Sequence, residues 1–104
     1  MDLKEYQSKC LNTWHGTNRL IRAYLGVCGE AGEMAENIKK YLREDYGTEE
    51  LAERTRKEIG DVLYYLAVCA HELGFDLDDI ARENIAKLAK RQEEGKIKGD
   101  GSER

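Results

Sequence analysis

The chain has 104 residues, contains no proline, and is 37% charged and 40% hydrophobic. This length provides one domain with one core and is too short for two. The apolar content excludes a disordered polar chain, and no run approaches the roughly 18 apolar residues of a membrane helix. A net charge of -4 argues against a nucleic-acid backbone as a partner. An acidic protein can still bind phosphates through a cation that reverses the local charge.

The N-terminal residues and the cysteines bear on location and redox chemistry. The opening MDLKEYQSK is charged and has no apolar signal segment, which predicts a cytoplasmic protein. Cys10, Cys28 and Cys69 are odd in number and far apart, so neither a disulfide framework nor a zinc site fits. Their apolar neighbours at helical spacing predict buried free thiols.

Helical apolar spacing predicts two helices in the first half of the chain. The first should end before His15, and its apolar face consists of Leu3, Tyr6, Cys10 and Trp14. The second should begin near Thr17 and end at Asp45-Tyr46-Gly47. Its predicted core stripe consists of Leu20, Ile21, Tyr24, Val27, Cys28, Ala31, Met34, Ala35, Ile38 and Leu42.

Two further helices are predicted in the second half. Thr48 is the expected N-cap of a third helix, whose acidic first turn suits the helix dipole and which ends at Leu73. Asp76 should cap a fourth helix that frays near Gly95. No alternation typical of β-strands competes with these helices, so we predict an all-α fold, a four-helix bundle. Its single domain would span residues 1–94, followed by a polar, Gly-rich tail at 95–104.

The segment Val62–Cys69, VLYYLAVC, is apolar around the whole circumference of the third helix. A helix of this kind is buried on every side. Because a small bundle has little surface to cover it, Tyr64, Tyr65 or Val68 is expected to contact a second subunit, which predicts a homo-oligomer. The alternative is that the first helix and the tail cover this surface within one chain.

Two acidic pairs, Glu30 with Glu33 and Glu58 with Asp61, have the i,i+3 spacing that places both carboxylates on one side of a helix. At about 100° per residue, Glu30 lies roughly 100° and Glu58 about 90° from the predicted apolar stripe, in the same rotational sense. Both pairs should therefore lie at a seam beside the core. A hard cation such as Mg²⁺ or Mn²⁺ would relieve their mutual repulsion. Two ordinary solvated pairs are an equally good interpretation, because such pairs arise by chance in an acidic sequence.

In their surroundings these pairs resemble the all-α nucleoside triphosphate pyrophosphohydrolases of the MazG-like superfamily, whose signature is E-E-x-x-E followed by E-x-x-D. The matching stretches are GEAGE at residues 29–33 and EIGD at residues 58–61, where Gly29 replaces the first Glu of the signature. The similarity continues through HELGFDLDDIARENIAKLAKRQEEGKIKGDG, so it covers nearly all the chain beyond about residue 20.

The resemblance implies a helical bundle that assembles as a homodimer or a dimer of dimers. It also implies hydrolysis of a nucleotide between its α and β phosphates, giving a monophosphate and pyrophosphate, with Mg²⁺ as the cofactor and Mn²⁺ as a substitute. The catalytic and metal-ligating residues would be Glu30, Glu33, Glu58 and Asp61. The resemblance also places near the nucleotide Asn84, Lys87 and Arg91.

Two other side chains are candidates for substrate binding. Lys39 follows the carboxylates of the second helix and would reach phosphates, with a solvated helix end as the alternative. Trp14 offers a face on which a base could stack, with a place in the core as the alternative. For Asn84 and the cations of the fourth helix, the alternatives are a satisfied buried amide and solvated charges.

Two other function classes compete with this reading. A non-enzymatic helical dimerisation module with solvated acidic flanks would show neither metal-dependent stabilisation nor nucleotide binding. A diiron carboxylate bundle would need Glu-x-x-His pairs, and neither His15 nor His71 has a carboxylate three residues before it. Within the enzyme reading, the sequence does not choose among standard deoxynucleotides, damaged nucleotides and a histidine-pathway intermediate.

Overall fold

The computed structural model describes residues 1–95; most of the predicted tail therefore lies outside the described residues. It consists of α1 (Leu3–Cys10), a 3₁₀ turn (Leu11–Thr13), α2 (Arg19–Leu42), α3 (Thr48–Glu72) and α4 (Leu77–Glu93). Residues 1–95 contain no strand, so the prediction of an all-α fold with four helices is confirmed. None of the helices in this part of the chain is long and apolar enough to cross a membrane.

The observed helix ends lie within a few residues of the predicted caps and stop positions. Asp76 caps α4 as predicted, its side chain accepting a hydrogen bond from the backbone N–H of Asp78 at 2.9 Å. Thr48 is the first residue of α3 rather than its cap, because Gly47 takes the cap position without a side-chain bond. Helix α2 ends at Leu42, three residues before the predicted stop, as the backbone turns through a left-handed Glu44 with φ 67°.

The two long helices, α2 and α3, form an antiparallel hairpin. Tyr46 fixes the turn between them, since its hydroxyl donates to the backbone carbonyl of Asn37 at 2.6 Å. The guanidinium of Arg54 stacks on the other side of the connection, 4.4 Å from the centre of the Tyr46 ring. This turn sets the register in which the middle of α2 lies beside the middle of α3.

Helix α1 is fastened to α3 and to the start of α4 by one buried side chain. The amide of Gln7 donates to the carbonyl oxygens of Ala67 at 3.0 Å and Phe75 at 3.1 Å. Its carbonyl oxygen accepts from the backbone N–H of Leu77 at 3.0 Å. Gln7 thereby uses both amide hydrogens and an oxygen lone pair, as a buried amide requires.

Helix α1 and the turn after it cover part of the apolar segment of α3, and the predicted contact of this segment with a second subunit stays a prediction. Val68 is wholly buried within the single chain. Tyr64 and Tyr65 are half-buried and meet the ring of Trp14 edge to face, with ring centres 6.2 and 6.3 Å apart. The first helix, one part of the cover weighed from the sequence, therefore packs on these residues, while Leu66 of the same segment stays 42% exposed; most of the tail, the other part, lies outside the described residues.

Most of the predicted core stripe of α2 lies on the surface of the chain, which corrects a second expectation. The side of α2 that packs on α3 contains Met34 from that stripe together with Ala23, Gly26, Glu30 and Asn37, all buried or half-buried. Cys28, predicted to be buried, is exposed, while Cys10 is buried and all three thiols are free. The error arises because α2 carries two apolar sides, and the wheel combined them into one.

The chain is more open than a compact domain of its length. Its radius of gyration is 16.4 Å, against about 13 Å for a compact chain of roughly 100 residues. Helix α4 packs on α1 and α3, with Leu77 buried, but residues 82–90 are all exposed. Large apolar side chains therefore remain on the surface of a single copy.

Candidate active site

The α2–α3 hairpin brings three of the four predicted metal-ligating carboxylates together. One oxygen from each of Glu30, Glu58 and Asp61 lies within 4.8 Å of the other two. Glu30 and Glu58 are half-buried between the helices, whereas Asp61 is exposed. We call these three residues the acidic triad. The expectation that the acidic pairs lie at a seam therefore holds for one member of each pair.

Glu33 stands apart from this group. It lies three residues after Glu30 on α2 and is exposed, and it does not belong to the acidic triad. The i,i+3 spacing placed it on the same side of the helix as Glu30 but could not show which residue of the pair faces α3. The register of α2 against α3 determines that Glu30 is the residue of this pair that faces α3.

The electrostatics of the acidic triad show that its charges are crowded. The pKa of Glu30 is raised above its ordinary value, chiefly by a side-chain hydrogen bond with Glu58, and further by burial and by the charges of Glu58 and Asp61. A hydrogen bond between two carboxyl groups requires a proton on one of them, which explains the direction of the shift.

The surroundings of one oxygen of Glu58 indicate whether a cation would fit this site. Its Oε2 is buried and accepts no hydrogen bond from any described residue. A buried carboxylate oxygen without a donor is costly unless a proton or a cation neutralises it. Three converging carboxylate oxygens are also the donor set that Mg²⁺ and Mn²⁺ prefer. The acidic triad therefore fits a divalent cation.

The contact of Gly26 with Tyr65 sets the helix spacing next to the acidic triad. A methyl group added to Gly26 would overlap the ring of Tyr65, so only glycine allows this approach. Gly26 lies one helical turn before Glu30, and Tyr65 lies one turn after Asp61. The packing of the Tyr65 ring on the backbone of Gly26 is thus adjacent to the carboxylates.

Tyr6 is a neighbour of the site that the sequence analysis assigned only to the apolar face of the first helix. Burial raises the pKa of Tyr6 to about 12, helped by a hydrogen bond with Cys10 and by the charges of Cys10, Asp61 and Tyr64. Helix α1 therefore carries a protonated hydroxyl close to Asp61. The signal in the sequence was the spacing of Leu3, Tyr6 and Cys10, which showed the packed face but not what it packs against.

Trp14, predicted to contact substrate, is a core side chain in this structure. It is only 7% exposed, and its indole N–H donates to Oε2 of Glu72 at 3.0 Å. The guanidinium of Arg22 stacks over the ring, 4.7 Å from its centre. Stacking of a base on Trp14 would require this packing to open, so the alternative weighed from the sequence describes its position here.

The other predicted substrate-binding residues lie on the helices as follows. Lys39 is exposed near the end of α2, with its Nζ 3.7 Å from a carboxylate oxygen of Glu36. Asn84 and Lys87 are exposed on α4, and Arg91 is buried near its end. The alternative weighed for Asn84, a satisfied buried amide in the apolar stripe of the fourth helix, therefore does not describe its position.

Comparison with known proteins identifies the family to which this arrangement belongs. Residues 17–95 match the MazG nucleotide pyrophosphohydrolase domain, and this range contains both acidic pairs. The chain belongs to the MazG family. It is also similar to the Gene 37 protein of Mycobacterium phage L5, with 39% identity over 82 residues that cover 77% of this chain and 72% of the relative. No solved structure gives a significant match.

Membership of the MazG family agrees with the resemblance recognised in the two acidic motifs. Helix α1 lies before the matched range, so Tyr6 and Gln7 are outside it. Helices α2, α3 and α4 fall within the range, which places the acidic triad in the part of the chain that defines the family.

Proposed function

We propose that this MazG-family protein is a divalent-cation-dependent nucleoside triphosphate pyrophosphohydrolase. It hydrolyses the anhydride between the α and β phosphates and releases a nucleoside monophosphate and pyrophosphate. The observation that carries this proposal is the buried, donorless oxygen of Glu58 within three converging carboxylates. Family membership adds the reaction class.

The acidic triad is proposed to hold Mg²⁺, with Mn²⁺ as a substitute. The cation would offset the negative charge of the phosphate oxygens and make phosphorus more open to attack by water. Because the substrate and the protein are both anionic, nucleotide binding should depend on this charge reversal.

Glu33 is the proposed proton acceptor. Its carboxylate lies outside the acidic triad but only one helical turn from Glu30, so it remains free when the triad is occupied. A carboxylate in this position can orient the attacking water and accept its proton. Hydrolysis then adds the hydroxyl of water to one phosphate and leaves a proton for the other.

The nucleotide itself is proposed to contact basic and amide side chains on α2 and α4. Asn84 and Lys87 are exposed and can reach a ligand, and Lys39 is held only loosely by Glu36. Arg91 is proposed as a further contact near the end of α4. We also propose that the protein acts as a homo-oligomer in the cytoplasm, where nucleotides are found.

A non-enzymatic dimerisation module is the second candidate, and the exposed apolar side chains of α2 favour it. A dimerisation module, however, does not explain why three carboxylates converge in the acidic triad. The two candidates differ in metal dependence, because a dimerisation module needs no cation.

A screen of nucleoside triphosphates tests the proposal. Standard and damaged deoxynucleotides and ribonucleotides are incubated with the protein and Mg²⁺, and pyrophosphate and monophosphate are both measured. We expect equal amounts of the two products, abolished by EDTA. Release of inorganic phosphate with a diphosphate would contradict the proposed bond cleavage, and no turnover across the screen would favour the dimerisation module.

A further inference from the structure

Tyr6 lies on the side of α1 that packs against the rest of the chain. Leu3, Tyr6 and Cys10 recur at i, i+3 and i+7, so they follow one another along one side of the helix. Cys10 is buried in the core, and the half-buried Leu3 and Tyr6 pack against the same core. The Tyr6 side chain therefore points from α1 towards the other helices.

The side of α3 that faces α1 begins next to the acidic triad. Asp61, Tyr64 and Val68 recur at i, i+3 and i+7, so they share one side of α3. Along this row the side chains change from exposed at Asp61 to half-buried at Tyr64 and wholly buried at Val68. The hydroxyl of Tyr64 also makes a hydrogen bond of 2.9 Å with the hydroxyl of Thr13, in the turn after α1. The cover of α3 by α1 and its turn thus reaches to within one helical turn of Asp61.

The packing of α1 holds Tyr6 in place and leaves its hydroxyl with a weak partner. The next residue, Gln7, makes three hydrogen bonds to the backbone of α3, of the connection after α3 and of α4. The backbone at Tyr6 is therefore fixed by its neighbour and not by its own hydroxyl. That hydroxyl interacts with the thiol of Cys10, and a sulfur atom is a weak acceptor. A charged phosphate oxygen is a much stronger acceptor, so the hydroxyl can turn to one at little cost.

A phosphate ligand at the acidic triad needs hydrogen-bond donors that the triad does not supply. Ionised carboxylates and phosphates are both acceptors, so a cation joins them, but the remaining phosphate oxygens need donors. A lysine beside the triad would pair with its carboxylates and compete with the cation. A neutral hydroxyl donates without this competition. The hydroxyl of Tyr6 stays protonated at neutral pH, because burial, helped by neighbouring groups, raises its pKa to about 12.

We propose that Tyr6 donates a hydrogen bond to a phosphate group held by the cation of the acidic triad, and so helps to hold the nucleotide at the site. The inference rests on the proposed function for its ligand, a nucleotide polyphosphate. It adds a residue from α1, whereas the nucleotide contacts proposed above come from α2 and α4. Because α1 lies before the residues that match the MazG domain, this contact would join a helix outside that range to the site.

Binding of inorganic tripolyphosphate in the presence of Mn²⁺ tests this contact and requires neither the substrate nor turnover. Calorimetric titrations, with the same Mn²⁺ concentration in cell and syringe, compare wild type with Tyr6→Phe and Tyr64→Phe. We expect Tyr6→Phe to weaken tripolyphosphate binding about 10-fold to 100-fold, the loss typical of one hydrogen bond to a charged group. Its affinity for Mn²⁺ alone and its helix content by circular dichroism should not change. Tyr64→Phe is the matched control and should bind like wild type, because its hydroxyl is already bonded to Thr13.

The outcomes separate this inference from the proposed function. Wild-type tripolyphosphate affinity in Tyr6→Phe, or equal losses in Tyr6→Phe and Tyr64→Phe, would overturn the phosphate contact and leave the proposed function in place. A loss of Mn²⁺ affinity in Tyr6→Phe would show that Tyr6 acts through the packing of the triad and would also overturn it. A wild type that binds no tripolyphosphate would overturn both. Weaker binding by Tyr6→Phe, in a protein that turns over no nucleotide in the screen, would support the contact and contradict the proposed activity.

Kinetics with a substrate from the nucleotide screen supply the second measurement. The contact is made by the bound nucleotide before the reaction, so Tyr6→Phe should raise KM by about the factor seen in the titration and change kcat little. An unchanged KM would count against the contact.

Discussion

Glu30 and Glu58 lie close together across the hairpin within the acidic triad, and the raised pKa of Glu30 makes metal-free stability depend on pH. Because the pKa of Glu30 is raised in the folded chain, the folded state holds its proton more tightly than the unfolded state. The resulting stabilisation is complete below the ordinary pKa of 4.5 and is lost as pH rises through the raised value.

We therefore expect the free energy of unfolding of the metal-free protein to fall as pH rises from about 4.5 towards neutrality. Glu30→Gln keeps a hydrogen-bonding side chain without the charge and should reduce this fall. Urea denaturation in EDTA at a series of pH values measures it, with Glu53→Gln on the exposed side of α3 as the control. Equal slopes for wild type and Glu30→Gln would contradict the interpretation of the shift.

Because Glu33 lies apart from the acidic triad, we predict that the four carboxylates do not contribute equally to metal binding and to turnover. Glu58→Gln should weaken Mn²⁺ binding by at least about 10-fold to 100-fold, the loss typical of disrupting even the outer partners of a metal site. Glu33→Gln should leave Mn²⁺ affinity nearly unchanged but lower kcat by about 100-fold to 10,000-fold, as expected for loss of a proton acceptor.

Calorimetric titration with Mn²⁺ and steady-state kinetics separate these two effects. Similar losses of metal affinity in both variants would show that Glu33 is a ligand on the same footing as Glu58. Wild-type kcat in Glu33→Gln would remove its role as proton acceptor.

At the scale of the helices, the contact between Gly26 and Tyr65 determines how closely α2 and α3 approach. Gly26→Ala forces a methyl group into the ring of Tyr65, and overpacking of this kind costs about 1–3 kcal/mol. The gain of about 1 kcal/mol from replacing a helical glycine offsets only part of this cost. We expect a less stable protein with weaker metal binding, because the carboxylates one turn away are moved apart.

Gly29→Ala is the matched control on the same helix. An added methyl group there meets nothing within 4 Å, so this variant should gain about 1 kcal/mol of stability. Thermal or urea unfolding of the two variants provides the comparison. If Gly26→Ala is as stable as Gly29→Ala, the helices adjust easily and their spacing does not depend on glycine.

The helices themselves could be predicted because apolar residues recur at helical spacing in each of them and because residues that cap or end helices separate them. Asp76 before α4 and the acidic first turn of α3 are local signals, and local chemistry decides them. Which side of α2 meets α3 is a different matter. Ile21 and Leu42 are as apolar as any core residue, and periodicity alone cannot separate a face buried within the chain from one that a partner would cover.

At the scale of the whole molecule, the motifs predicted that carboxylates of α2 and α3 lie together but not which of them do. The GEAGE and EIGD stretches predicted a group of four carboxylates, and the hairpin register brings three of them together, Glu30, Glu58 and Asp61. The place of Trp14 depended on α1 folding across α3, a contact between residues far apart in sequence. Contacts of this range follow from the packing of the whole chain rather than from any local pattern.

The acidic triad is formed within one copy, although much of the surface of that copy is apolar and exposed. A single copy leaves the large apolar side chains of α2 and much of α4 exposed, while the acidic triad lies within the α2–α3 hairpin. Cation binding should therefore not require a second copy of the chain.

Pyrophosphate release by wild type and Glu58→Gln, measured with Mg²⁺ and a substrate from the nucleotide screen, tests the central claim most directly. We predict that wild type releases one pyrophosphate per monophosphate and that Glu58→Gln, although folded, loses at least about 100-fold of this activity, because its buried oxygen belongs to the cation site. Glu53→Gln should retain full activity. Wild-type turnover by Glu58→Gln, or turnover that persists in EDTA, would contradict the assignment of the acidic triad as the catalytic metal site.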